Sequence, residues 1–113
     1  MSTRANIVIR DGFESELWFY RHSDGYPDGA LPMLLEYVDE IKKGNLRNNV
    51  TQSSGWLILA GHDEYAEFRS DGYMSWKVGS IEPTTGRHGD IEYLYEIDLE
   101  KLTIKINGEV YDS

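Results

Sequence analysis

Apolar residues follow a strand-like period at both ends of the chain and a helical one in the middle. Residues 5–9 (Ala-Asn-Ile-Val-Ile) are rich in β-branched side chains, and Asp11-Gly12 is a turn dipeptide. In residues 14–22, Leu17, Phe19 and Arg21 alternate with Glu14, Glu16, Trp18, Tyr20 and His22. Strand side chains point alternately to opposite faces, so these segments predict a β-hairpin with one apolar and one polar-aromatic face. Residues 23–29 (Ser-Asp-Gly-Tyr-Pro-Asp-Gly) are dense in turn formers and predict a loop. From Ala30 onward, Leu31, Leu34, Leu35, Val38 and Ile41 recur at helical spacing, while Glu36, Asp39, Glu40 and Lys43 fall elsewhere on the wheel. Pro32 suits the first turn of that helix, Lys42 and Lys43 its negative end, and Gly44 its stop.

Asn49 stands three residues before Gln52, a capping arrangement, and 56–60 is continuously apolar. Periodicity alone does not separate a helix from a buried strand there; the cap favours a second helix, with Gly61 as its stop. Asp71-Gly72 marks a turn before an expected strand over 73–82, and 83–90 reads as a long loop. Ile91, Tyr93, Tyr95 and Ile97, then Leu102, Ile104 and Ile106, alternate with polar residues around a 99–101 connection, which predicts a second hairpin. The expected fold class is α+β: a largely antiparallel sheet of about five strands, in the order β-β-α-α-β-β-β, with two helices on one face.

With 113 residues, the chain suits a single domain spanning 1–113. Hydrophobic residues make up 40% of it, too many for a disordered acidic tail. The absence of cysteine excludes disulfides, thiolate metal sites and thiol nucleophiles. No apolar run approaches the length of a membrane span or of a signal-peptide core, so a soluble, cytoplasmic protein is expected. Twenty acidic against 11 basic residues give a formal net charge of −9. That charge repels phosphate backbones and anionic lipid and attracts basic surfaces. The expected partner is therefore a protein with a basic surface, with no direct nucleic acid and no membrane; a homodimer remains an option.

The chain has no phosphate-binding glycine loop, HExxH or GxSxG motif, and no cofactor or metal is expected. His22 with Asp24, His62 with Asp63 and Glu64, and His88 with Asp90 would make an acid–base or metal site only if the fold gathered them. A second candidate is a ligand pocket built from Trp18, Tyr20, Arg21, His22, Asp24, Tyr26, Arg87 and His88, with a ring stacking a base and an arginine holding phosphate. The alternative is that Tyr26 and Pro27 staple the loop to the core and Arg21 pairs with a nearby carboxylate. A third candidate is electrostatic. Residues 90–113 hold seven carboxylates against two lysines, and Glu92, Glu96 and Asp98 share a strand face, with Glu100 just beyond. Alternate strand positions lie ~6–7 Å apart, close to the phosphate spacing of a nucleic-acid strand. Asp63, Glu64, Glu67 and Asp71 form a second acidic stretch, opposed only by Arg69. Either stretch is a solvated skin or a decoy for a basic groove.

The opening Met1-Ser2-Thr3-Arg4-Ala5-Asn6-Ile7 and the run Tyr20-Arg21-His22-Ser23-Asp24-Gly25-Tyr26-Pro27 resemble a family of small proteins encoded by phages and prophages. The resemblance extends through Trp56-Leu57-Ile58 and Glu82-Pro83-Thr84-Thr85-Gly86 to Gly89-Asp90-Ile91-Glu92-Tyr93, most of the chain. It implies a genomic setting and carries over no catalytic residue. Small, acidic, cysteine-free phage proteins are similar in kind to inhibitors of host defence, anti-CRISPR proteins among them. The expectation is a non-enzymatic inhibitor binding a nucleic-acid-handling defence complex; the competing expectation is a binder of a small nucleotide signal.

Overall fold

The computed structural model describes residues 3–12, 15–72 and 79–111. Strands β1 (Ala5–Arg10) and β2 (Glu16–Arg21) pair antiparallel, from Ala5 opposite Arg21 to Arg10 opposite Glu16. Helices α1 (Pro27–Lys42) and α2 (Val50–Glu64) and the short α3 (Ala66–Ser70) follow, then strands β3 (Ile81–Thr84), β4 (Tyr93–Asp98), β5 (Thr103–Ile106) and β6 (Glu109–Val110). The fold is α+β, with two long helices and, among the described residues, a mixed six-stranded sheet in the order β3-β2-β1-β4-β5-β6.

The sheet departs from the expected five antiparallel strands in three ways. At its centre β1 and β4 run parallel, Ala5 beside Tyr93 and Arg10 beside Asp98. Alternation reports which face a side chain takes but not which strand lies next door, so the pairing was invisible. The helices between the two strands supply the crossover that a parallel pair requires. Next, the strand expected over 73–82 lies mostly outside the described residues; the described strand runs through Pro83 and Thr84, which the sequence assigned to a loop. Proline is tolerated because, among the described residues, β3 is an edge strand paired only with β2. Finally, Asn107 (φ 50°) and Gly108 (φ 87°) turn the chain into the unexpected two-residue β6.

Both helices start and stop for local reasons. Tyr26 is extended and Pro27 occupies the first turn, so α1 begins three residues earlier than expected and Pro32 falls inside it, exposed. The Asn49 side chain accepts the Gln52 amide at 2.9 Å, capping α2 as the sequence suggests. Gly61 does not stop α2, which continues to Glu64. Its role is close approach: the Ser80 amide donates to the Gly61 carbonyl at 3.0 Å, and a Cβ there would lie 3.1 Å from the Ile81 nitrogen. Gly61→Val should therefore destabilise the protein by about 1–3 kcal/mol. Gly55, in the same helix with open space around its Cα, should gain about 0.5–1 kcal/mol as alanine. Urea midpoints of the two variants should move in opposite directions from wild type.

Ile7, Ile9, Phe19, Tyr95, Ile97 and Ile104 form one sheet face and pack against Leu31, Leu34, Tyr37, Val38 and Leu57 of the two helices in a single core. The opposite face carries Asn6, Val8, Arg10, Trp18, Tyr20, Leu94 and Glu96 by alternation. Among the described residues, no helix is long and apolar enough to cross a membrane.

Candidate functional site

Strand β2 and the loop that joins it to α1 carry most of the ligand-pocket expectation, and the geometry of the loop is largely that of a joint. Arg21 lies on the helix side of the sheet and is only 2% exposed. Its Nε donates to the Asp24 carbonyl at 3.1 Å, Nη1 to Ser80 Oγ and Glu64 Oε2 at 3.2 Å each, and Nη2 to Glu64 Oε1 at 2.5 Å. Such a fork–fork pair ties the end of β2 to the last turn of α2. Arg21 is thus turned away from solvent, and Glu64, one of the expected acidic-surface residues, is its partner. Asp24 adopts the left-handed region (φ 53°), which turns its carbonyl to Arg21 and leaves its carboxylate exposed. Gly25 donates its amide to the Thr3 carbonyl at 2.9 Å and accepts the Tyr95 hydroxyl at 2.6 Å. A Cβ on Gly25 would sit 2.8 Å from that of Ala5, so the loop needs glycine for contact. Ser23 pairs with the Tyr65 hydroxyl, while Tyr26 stays 41% exposed.

The opposite sheet face gathers other members of the set. Tyr20 is 3% exposed, with His88 stacked on its ring at 4.0 Å and His22 edge-on at 4.5 Å. Its hydroxyl donates to Asp90 at 3.1 Å, and burial, then Asp90, raise its pKa. Arg4 reaches Asp90 at 3.5 Å. The His88 ring meets Thr84 Oγ1 at 2.8 Å and its amide donates to Asn6 Oδ1 at 2.7 Å, which pins the 84–90 loop across this end of the face. His22 pairs with Glu82 across the β2–β3 ladder. Two of the three histidines therefore converge, each with a partner other than its sequence neighbour. His62 lies apart on the last turn of α2, 3.6 Å from Asp63. No group of three or more His, Asp or Glu is placed to hold a metal ion among the described residues. Arg87 is exposed on the same loop. The Tyr20 ring is buried, with His88 stacked on it and His22 meeting it edge-on, whereas Trp18 stays half-buried at the other end of the face.

Around Trp18 the polar residues form a charged grid set by strand register. Trp18, Val8, Glu96 and Lys105 stand side by side on β2, β1, β4 and β5, with Glu16, Arg10, Asp98 and Thr103 in the next row. Arg10 bridges two strands: its Nε donates to Glu16 at 2.9 Å and its Nη1 to Glu96 at 2.6 Å. Its guanidinium lies 5.8 Å from the centre of the Trp18 ring, and the indole N–H donates to the second Glu16 oxygen at 3.1 Å. The hydrogen bond with Glu16 is the main cause of a raised Arg10 pKa, and the same bond lowers that of Glu16. The expected acidic row is thus interleaved with cations. Glu96 belongs to Arg10, and Asp98 accepts the Glu100 and Lys101 amides at 2.9 and 3.3 Å. Glu92 and Glu100 are exposed, as are Asp63 and Glu67. A cleft of about 210 Å³ opens at the carboxyl ends of β1 and β4, lined by Arg10, Glu96, Asp98, Glu100, Thr103 and Lys105 among others.

The sequence missed Arg10, Glu82 and Lys105 as members of this surface, and gave Glu16 a face but no partner. Alternation placed Glu16 beside Trp18, but only the parallel β1–β4 pairing brings Arg10 between Glu16 and Glu96. No family model, curated protein sequence or solved structure matches the chain.

Proposed function

We propose that the protein is a non-enzymatic inhibitor of a host defence system, encoded by a phage, that binds a basic nucleic-acid-handling protein through its acidic surface. The observation that supports this most directly is the charge of the sheet face opposite the helices. Glu16, Glu82, Asp90, Glu92, Glu96 and Asp98 stand there by alternation or contact, against Arg4, Arg10 and Lys105. Strand register and ion pairs hold Glu16, Glu82 and Glu96 in fixed positions, so little side-chain freedom is lost there on docking. A negative, preorganised face favours rapid, salt-sensitive association with a basic groove. The nucleotide-binding reading loses Arg21 to Glu64 and the ring of Tyr20 to His22 and His88.

Expressed in a bacterium with an active nucleic-acid-targeting defence, the protein should raise plaque formation by a targeted phage. Glu92→Lys with Glu100→Lys reverses two exposed carboxylates that hold no cation among the described residues, and should abolish that protection without lowering the melting temperature. Protection that survives the double reversal would remove the acidic-surface reading.

A further inference from the structure

The Arg10 contacts describe a binding geometry as well as an internal one. Glu16 and Glu96 hold the guanidinium from two sides and the Trp18 ring flanks it, the three components with which proteins recognise an arginine. The side chain that fills this arrangement is reachable from solvent. Arg10 is 40% and Glu16 45% exposed, where an ion pair contributes little to stability, and Glu96 is 27% exposed. The cleft beyond Arg10 and Glu96 gives a displaced or incoming side chain room to move.

We propose that Glu16, Trp18 and Glu96 form a guanidinium cradle for an arginine of the partner, and that Arg10 occupies it in the free protein as an internal competitor. This deepens the acidic-surface reading and rests on it: the basic partner presents arginine, rather than lysine, to the Trp18 end of the face. A lysine ammonium has no planar fork to span two carboxylates and gains less over an indole ring. On binding, the partner's guanidinium exchanges for that of Arg10, which swings toward Asp98 and the cleft.

The test titrates labelled hexa-arginine and hexa-lysine, equal in charge, against the full chain by fluorescence anisotropy at low salt. The wild type should bind hexa-arginine at least about threefold more tightly. Arg10→Gln should tighten hexa-arginine by about tenfold. Lys105→Gln removes one cation from the same face without touching the cradle, and should tighten both peptides alike and by less. Trp18→Leu should erase the arginine preference. If Arg10→Gln melts below the assay temperature, Arg10→Lys carries the same comparison, since it keeps the charge and loses the fork. Equal binding of the two peptides, or equal gains from Arg10→Gln and Lys105→Gln, would overturn the cradle while leaving the acidic surface standing. Failure of both peptides to bind would overturn the acidic surface itself.

Discussion

Replacing Arg21 by alanine is expected to destabilise the protein by about 3 kcal/mol. The guanidinium is 2% exposed, and its donors reach Asp24, Ser80 and both oxygens of Glu64. Alanine strands the Asp24 carbonyl and the buried Ser80 hydroxyl and leaves a cavity between β2 and the end of α2. The Glu64 side chain is 32% exposed and recovers part of its hydration, which places the effect at the lower end of the range for broken buried pairs. Lysine should not rescue the variant, because an ammonium has no fork to satisfy two oxygens and a hydroxyl together. Arg21→Met combined with Glu64→Leu should recover much of the loss, since apolar replacement of both partners avoids an uncompensated charge. Urea unfolding of the singles and the double supplies the cycle; a single Arg21→Ala within about 1 kcal/mol of wild type would show that the clamp contributes little.

Alkaline solution should unfold the protein in a window set by its buried tyrosines. Tyr37, on α1, is fully buried, with its ring 6.1 Å from that of Trp56 on α2, and shares a 2.6 Å hydrogen bond with Ser53. Burial pushes its pKa up from the usual 10 to about 12, with the Ser53 hydroxyl acting weakly the other way. The fold thus prefers the protonated phenol, so this contribution is fully present below pH 10 and is lost as pH rises through the interval up to about 12. For Tyr37 alone the loss amounts to about 2–3 kcal/mol. Tyr95 adds to it in the same direction, raised by burial first and by Tyr93 next, against Arg21. Urea midpoints measured from about pH 9 to about pH 12 should fall steeply. Tyr37→Phe should lose about 1 kcal/mol at neutral pH, through the Ser53 hydrogen bond, and flatten the alkaline slope. A slope unchanged by that substitution would assign the transition to other groups.

The same residues show how far the site was legible in advance. Arg21 was visible as a cation at the end of a strand, and its pairing with a carboxylate was one of two readings open for it. That the carboxylate is Glu64, 43 residues away, depends on where α2 ends against β2. The run His22-Ser23-Asp24-Gly25-Tyr26-Pro27 stands out in the sequence as loop chemistry. Its glycine and the backbone of its aspartate answer to packing, while His22 and Tyr26 keep their exposure. For Gly61, the helix-stop rule gave way to a requirement for close approach, because helix propensity is weak beside the packing of β3 onto α2.

Local pattern by itself determined the two hairpins, the apolar stripe of α1, the cap of α2 and which side of β2, β4 and β5 turns inward. These depend on alternation, helical spacing and capping, which act over a few residues. Net charge was equally fixed by composition. Tertiary structure decided that β1 lies parallel to β4, and with it that the acidic row of β4 stands beside a cation instead of more carboxylates. Strand neighbours are chosen by the packing of the whole chain on its core, and the ion pairs that follow join residues up to 86 positions apart. Charge was written in the chain; its pattern on the surface came from the order of the strands.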